Sequence, residues 1–149
     1  MSRKSAREIA LHILFELTYD AAPAEEVLED RLSEETRARF SEEISVYARE
    51  LEERDESFIR LIVRGVCEHR EELDAEIGRR ALHWETGRIS RLAISVLRMA
   101  FYEVLWVPDT DRAVIANEAV ELAKKYDTKE SAVFINGILG TLIRETPEA

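Results

Sequence analysis

The chain is poor in the residues that staple or interrupt a fold. One cysteine in 149 residues, Cys67, permits no internal disulfide and gives no support for a secreted, disulfide-built scaffold. A lone thiol of this kind is expected to sit inside as a small hydrophobe. Three prolines and five glycines leave little room for long loops or low-complexity linkers. No uncharged apolar run approaches the roughly 20 residues that span a bilayer. The opening Met1-Ser2-Arg3-Lys4-Ser5 leads into a stretch carrying Glu8, His12 and Glu16, unlike the unbroken apolar core of a signal peptide. A soluble, cytoplasmic protein without membrane contact is the expectation. Marks of catalysis are also missing. His12, His69 and His83 stand far apart, and there is no HExxH, CxxC, GxSxG or glycine-rich phosphate loop. Paired acids such as Glu71-Glu72 lie among helix charges of the kind that usually face water. No catalytic residue, metal or cofactor is therefore expected.

What is present is helical periodicity. No stretch alternates apolar and polar residues as a strand would, and no internal repeat is found. Ala6, Ile9, Ala10, Ile13, Leu14 and Leu17 form one apolar stripe, and Ser5 with Glu8 has capping-box spacing, so a first helix is predicted from just after Ser5 to about Tyr19. Pro23 can open a short helix carrying Val27, Leu28 and Leu32. Ile44, Tyr47, Ala48 and Leu51 suggest another, strongly charged one. Phe58, Leu61, Ile62, Gly65 and Val66 repeat the pattern, and Leu73 and Ile77 continue it after a bend near Glu68 to Arg70. From Ile89 to Trp106 few positions are polar, the mark of a central, largely buried helix. Val107-Pro108-Asp109-Thr110 ends it. Asp111 can cap the next helix, to about Tyr126, and Thr128 a last one through about Ile143, carrying Val133, Phe134, Ile138, Leu139 and Leu142. The fold predicted is all-α: a compact bundle of about seven helices, one domain in two packed subdomains, about 1–80 and 81–149, jointed near Thr86-Gly87.

The net charge of −10 argues at first against a nucleic-acid partner, but the acid is concentrated. Residues 20–56 hold 14 acids and 5 bases, while the rest of the chain carries 17 acids and 16 bases. A basic patch outside the acidic segment would be largely screened from it beyond about 8 Å at physiological salt. Arg3, Lys4 and Arg7 lie at the start of the first helix, where cations oppose the helix dipole and a bound phosphate would relieve the conflict. A solvated terminus is the plainer alternative. Lys124, Lys125 and Lys129 lie near Phe134, which either stacks an unpaired base or belongs to the core.

Five patches in order resemble the NusB family of transcription antitermination factors: Ala6-Arg7-Glu8 before an apolar helix, Phe58 to Val66 (FIRLIVRGV), Leu97 to Glu103 (LRMAFYE), Asn117 to Lys124 (NEAVELAK) and Phe134 to Leu139 (FINGIL). The resemblance implies an all-helical, non-enzymatic, RNA-binding protein of two subdomains. It implies binding to the boxA sequence of ribosomal RNA leaders, together with the small-subunit ribosomal protein NusE, within an RNA polymerase antitermination complex. The RNA-binding residues it implies are Arg3, Lys4, Arg7 and Phe15 at one end, and Lys129, Glu130 and Phe134 at the other. Glu130 stands where the shorter Asp is expected. Read physically, Gly137 is expected to permit close backbone packing, and Asn117 and Asn136 to be buried hydrogen-bonding residues. The competing reading is a self-associating helical module, a homodimer that masks the RNA surface.

Overall fold

The computed structural model describes residues 1–81 and 89–147; His83 and the Thr86-Gly87 joint lie outside them. The described residues form eight α-helices and no strand, which agrees with the all-α expectation and adds one helix to its count. They fall into two compact units, Met1–Cys67 and Glu68–Ala149.

In the first unit, α1 (Arg3–Leu17) begins ahead of its predicted start because Ser2 takes the cap: its Oγ accepts from the Ser5 amide at 3.1 Å. Ser5 and Glu8 lie inside the helix, both buried. The stripe Ala6, Ile9, Ala10, Ile13, Leu14 is buried as predicted. Pro23 precedes α2 (Ala24–Arg31) with φ −58°, already suited to helix entry. An unforeseen helix, α3 (Glu34–Ser41), is capped by Ser33, whose Oγ accepts from the Thr36 amide.

The predicted helix over Ile44 to Leu51 is replaced by a single 3₁₀ turn, Ser45–Ala48, between extended Ile44 and Arg49. Tyr47 anchors that turn: its phenol lies 2.9 Å from His12 Nδ1, and its ring meets Phe40 edge-on at 5.3 Å. The segment after it is claimed by Asp55. This buried carboxylate accepts from the Glu52 amide at 2.9 Å and from the Met1 ammonium at 3.1 Å, fixing where α4 (Glu53–Glu68) starts. Burial alone would raise the Asp55 carboxyl, but those donors hold it below the usual carboxylate range.

Helix α4 buries Phe58, Ile59, Ile62, Val63 and Val66, and leaves Leu61 45% exposed. The stripe is thus turned slightly from the predicted one. Each fully buried Ile contributes about 1.5–3 kcal/mol. Exposed ion pairs contribute little to stability, so Arg64 on Glu25 (2.6 and 2.8 Å) and Arg60 on Glu29 (3.1 Å) fasten α4 to α2 without holding the unit together. Arg64 holds the Glu25 carboxyl below its ordinary value. Cys67, expected inside, is exposed. It follows Val66 by one residue and so points about 100° round the helix from the buried stripe.

The second unit is built around α6 (Arg91–Trp106), which packs against α5 (Arg70–Gly78), α7 (Arg112–Tyr126) and α8 (Lys129–Glu145). The predicted bend is at His69, whose ring stacks on Trp106 at 4.3 Å. Arg98 binds Asp74 through two hydrogen bonds, at 2.8 and 3.0 Å, joining α6 to α5. Asp111 and Thr128 cap α7 and α8 as the sequence predicts.

Three expectations fail here for one reason. Helix α8 buries Ala132, Ile135, Ile138, Leu139 and Leu142, so Val133, Asn136 and Gly137 fall on its opposite face. Val133 is 74% exposed, and Asn136 and Gly137 are exposed. Asn117 is likewise outside, because α7 buries Ile115, Ala119, Leu122 and Ala123. A Cβ built on Gly137 meets nothing within 4 Å. Its place in the helix therefore costs stability without an internal packing return.

Two outcomes follow. Gly137→Ala should raise stability by about 1 kcal/mol and the melting temperature by a few degrees; a lowered melting temperature would show packing on that face. Asp55 has a depressed folded-state pKa, so its contribution is complete above the unfolded value of about 3.9 and is lost as pH falls through the folded one. Asp55→Asn should therefore melt below the native chain at pH 7, with the gap narrowing as pH falls below about 4. A gap independent of pH would assign the effect to packing.

Candidate nucleic-acid interface

The residues implied at the first helix lie in the first unit. Arg3 and Lys4 are exposed on the opening turn of α1, which holds no acid. Arg3 is not loose: its guanidinium sits 4.0 Å from the centroid of the Phe58 ring, a cation–π contact. Arg7 is different. It is only 3% exposed, with its guanidinium 5.5 Å from that ring. Its place is that of a buried structural cation, leaving Arg3 and Lys4 as the exposed cations of the opening turn.

Phe15 lies two turns further along α1 and is half-buried, meeting Tyr19 edge-on at 5.3 Å. It helps to line a cleft of about 570 Å³ with His12, Tyr19, Phe40, Ile44 and Tyr47. Burial pushes the Tyr47 phenol up to about 12, so it stays protonated beside His12 through the neutral range. Phe15 therefore belongs to this cleft and not to the basic opening turn.

Lys129, Glu130 and Phe134 come together at the start of α8, in the second unit. Lys129 and Glu130 are exposed and cancel in charge; Phe134 is half-buried and absent from the core. Its ring lines a hollow of about 310 Å³, with Ile89, Ala93, Ser90, Asp127, Glu130 and Ser131. Two helices begin at this hollow. Ser90 Oγ accepts from the Ala93 amide at 3.0 Å and so caps α6; Thr128 Oγ1 accepts from the Ser131 amide at 3.0 Å and caps α8. The two caps are bridged, since Ser90 Oγ also donates to Asp127 Oδ2 at 2.6 Å. Ser131 Oγ is buried without a hydrogen-bond partner. Chemically, the site offers an aromatic face, a carboxylate acceptor and an unused hydroxyl at helix starts that carry partial positive charge. That set suits a splayed-out base and its sugar.

Ser90, Asp127 and Ser131 were missed in the sequence. Ser90 carried a usable signal, an N-cap residue immediately before an apolar helical run, which placing the helix start at Ile89 concealed. Asp127 and Ser131 had none, because their importance comes from the turn between α7 and α8 lying beside the start of α6.

The NusB family model matches residues 4–144. A curated relative from Geobacter sulfurreducens, transcription antitermination protein NusB, is 40% identical over 147 residues, covering 99% of this chain and 97% of that one. Among solved structures, NusB from T. maritima matches with a TM-score of 0.82 at 29% identity, covering 97% of this chain and 92% of that one. A chain of a solved complex of antitermination factors NusB and NusE with dsRNA shares the fold, with a TM-score of 0.76 at 19% identity and 97% of each chain covered. By the extent of the family match and the identity to its curated members, this chain belongs to the NusB family.

Proposed function

We propose that the chain is a transcription antitermination factor. In this reading it is a cytoplasmic adaptor without a catalytic step of its own. It binds boxA-type single-stranded RNA of ribosomal RNA leaders together with the ribosomal protein NusE, and acts on elongating RNA polymerase. The observation that carries the reading is the family match over nearly the whole chain. Supporting it are the name of the Geobacter relative and the complex of NusB, NusE and dsRNA among the structural neighbours. Among the described residues, no helix is long and apolar enough to cross a membrane.

In this reading the labour of binding is divided. Arg3 and Lys4, exposed on a helix start, meet phosphates and read no sequence. Phe134 stacks a base in the hollow, where Asp127, Glu130 and Ser131 meet its polar edge. Glu130, at the rim and exposed, reaches the same edge with one methylene more than Asp. With only two exposed cations on the opening turn, the chain alone binds RNA weakly, and NusE supplies the remaining contacts.

RNA titrations at several salt concentrations test this, using boxA and scrambled sequences with and without NusE. Saturating NusE should tighten boxA binding; no change would refute the adaptor role. Replacing Arg3 and Lys4 by alanine should weaken both RNAs alike and flatten the log-affinity against log-salt slope by roughly 0.7 per lost phosphate contact. Phe134→Ala should cost about 1–3 kcal/mol of RNA binding with the slope unchanged. Its melting temperature should stay near that of the native chain, as the ring is only half-buried. A collapse in stability of about 3–5 kcal/mol with RNA binding intact would make Phe134 a core residue instead.

A further inference from the structure

The opening turn of α1 is fastened to α4 and the segment before it. The Met1 ammonium donates to the buried Asp55 carboxylate at 3.1 Å and to the Glu50 carbonyl at 3.0 Å. Two residues on, the Arg3 guanidinium lies over the Phe58 ring, 4.0 Å from its centroid. Phe58 is itself fixed, being 5% exposed and part of the buried stripe of α4 with Ile59 and Ile62. A long side chain on an exposed helix start ordinarily samples many rotamers. Here a buried ring holds it.

That contact leaves the hydrogen-bonding chemistry of Arg3 unused. Arg3 is exposed, and among the described residues no hydrogen bond or ion pair engages its guanidinium. An aromatic ring attracts a guanidinium through its flat face, whereas a phosphate takes it by the N–H edge. One arginine can therefore make both contacts at once. The ammonium of a lysine has no separate face and edge, so it cannot divide itself in this way. Arg7 meets the same ring at 5.5 Å but is buried, so Arg3 alone carries the contact to solvent.

We propose that Phe58 is a positioning residue for RNA: its ring holds the Arg3 guanidinium ready to donate two parallel N–H groups to a backbone phosphate. Arg3 thereby acts as a preset fork, while its neighbour Lys4 acts as a point charge. The inference rests on the RNA reading above and adds to it a residue that does not itself touch RNA.

A double-variant cycle tests it, by titrating boxA-type RNA against Phe58→Leu, Arg3→Ala and the two combined. Leucine keeps an apolar side chain in the stripe and removes the ring. Each titration is made well below the melting temperature of the variant, with helix content checked by circular dichroism. Phe58→Leu should weaken binding about three- to tenfold, the range for a long side chain that must be immobilised on binding. The log-affinity against log-salt slope should not change, because every cation remains. Added to Arg3→Ala, Phe58→Leu should weaken binding no further; added to Lys4→Ala, it should weaken it by its full factor. Arg3→Lys should also lose affinity with the slope kept. An equal loss from Phe58→Leu with Arg3 present and absent overturns the proposal and makes Phe58 a packing residue only. Nuclear magnetic resonance of the free protein gives a reading independent of RNA. The Arg3 side-chain protons should be shifted upfield by the ring, and Phe58→Leu should abolish the shift; its absence from the native chain also overturns the proposal. No RNA binding by the native chain, with that shift present, would refute the RNA reading itself and leave the contact purely structural.

Discussion

A helix with apolar side chains on nearly every face cannot stand in water, and α6 is such a helix: ten of its sixteen residues are buried. It persists only while α5, α7 and α8 cover it, and this need arranges their ends as well as their faces. To lie along α6, α8 turns back from α7 within two residues, Asp127 and Thr128. That turn comes beside the start of α6, where Ser90 donates to Asp127. The hollow at Phe134 is a consequence. Ala132 and Ile135 face inward, so Phe134 between them is carried to the flank, half in and half out. A residue that reads as either core or ligand is in fact at the boundary of both, which is where an aromatic ring can be held still and still present a face.

The proposed function asks a chain with a net charge of −10 to bind an anionic partner. Segregation in sequence makes this feasible, and the ion pairs temper it: Arg60 and Arg64 of α4 engage Glu29 and Glu25 of α2, while Glu34, Glu35, Glu42 and Glu43 stay exposed. Two surfaces of the first unit thereby differ in kind. The opening turn of α1 is cationic, while the cleft further along α1 has an acidic rim and an aromatic floor. Phe15 shares a helix with Arg3 but not a surface.

The fold was largely legible in the sequence, because helices with wide apolar faces announce themselves. Those of α1, α6 and α8 are strongly periodic, and Asp111 and Thr128 cap where cap residues should. Segment 33–51 was not legible. Its helix α3 buries only Thr36, so no apolar period marks it, and the Tyr47 turn is held by a partner 35 residues away, His12. The candidate site was legible by resemblance and only partly by physics. Phe134, Lys129 and Glu130 do share a surface, whereas Arg7, identical in type to Arg3, is buried. Single-residue chemistry could not separate the two; the burial pattern along α1 does. The asparagines and glycine of the best-matching patches misled for a similar reason, since an apolar neighbour in sequence does not bury a residue on the far side of a helix.

The central claim is that RNA engages the opening turn of α1 and the start of α8 while the acidic segment stays free. Hydrogen–deuterium exchange, with and without a saturating boxA-type RNA, tests it directly. Amides within residues 2–6 and 127–134 should gain protection, and those within 33–50 should exchange as before. Protection confined to the acidic segment, or none at the start of α8, would contradict the account.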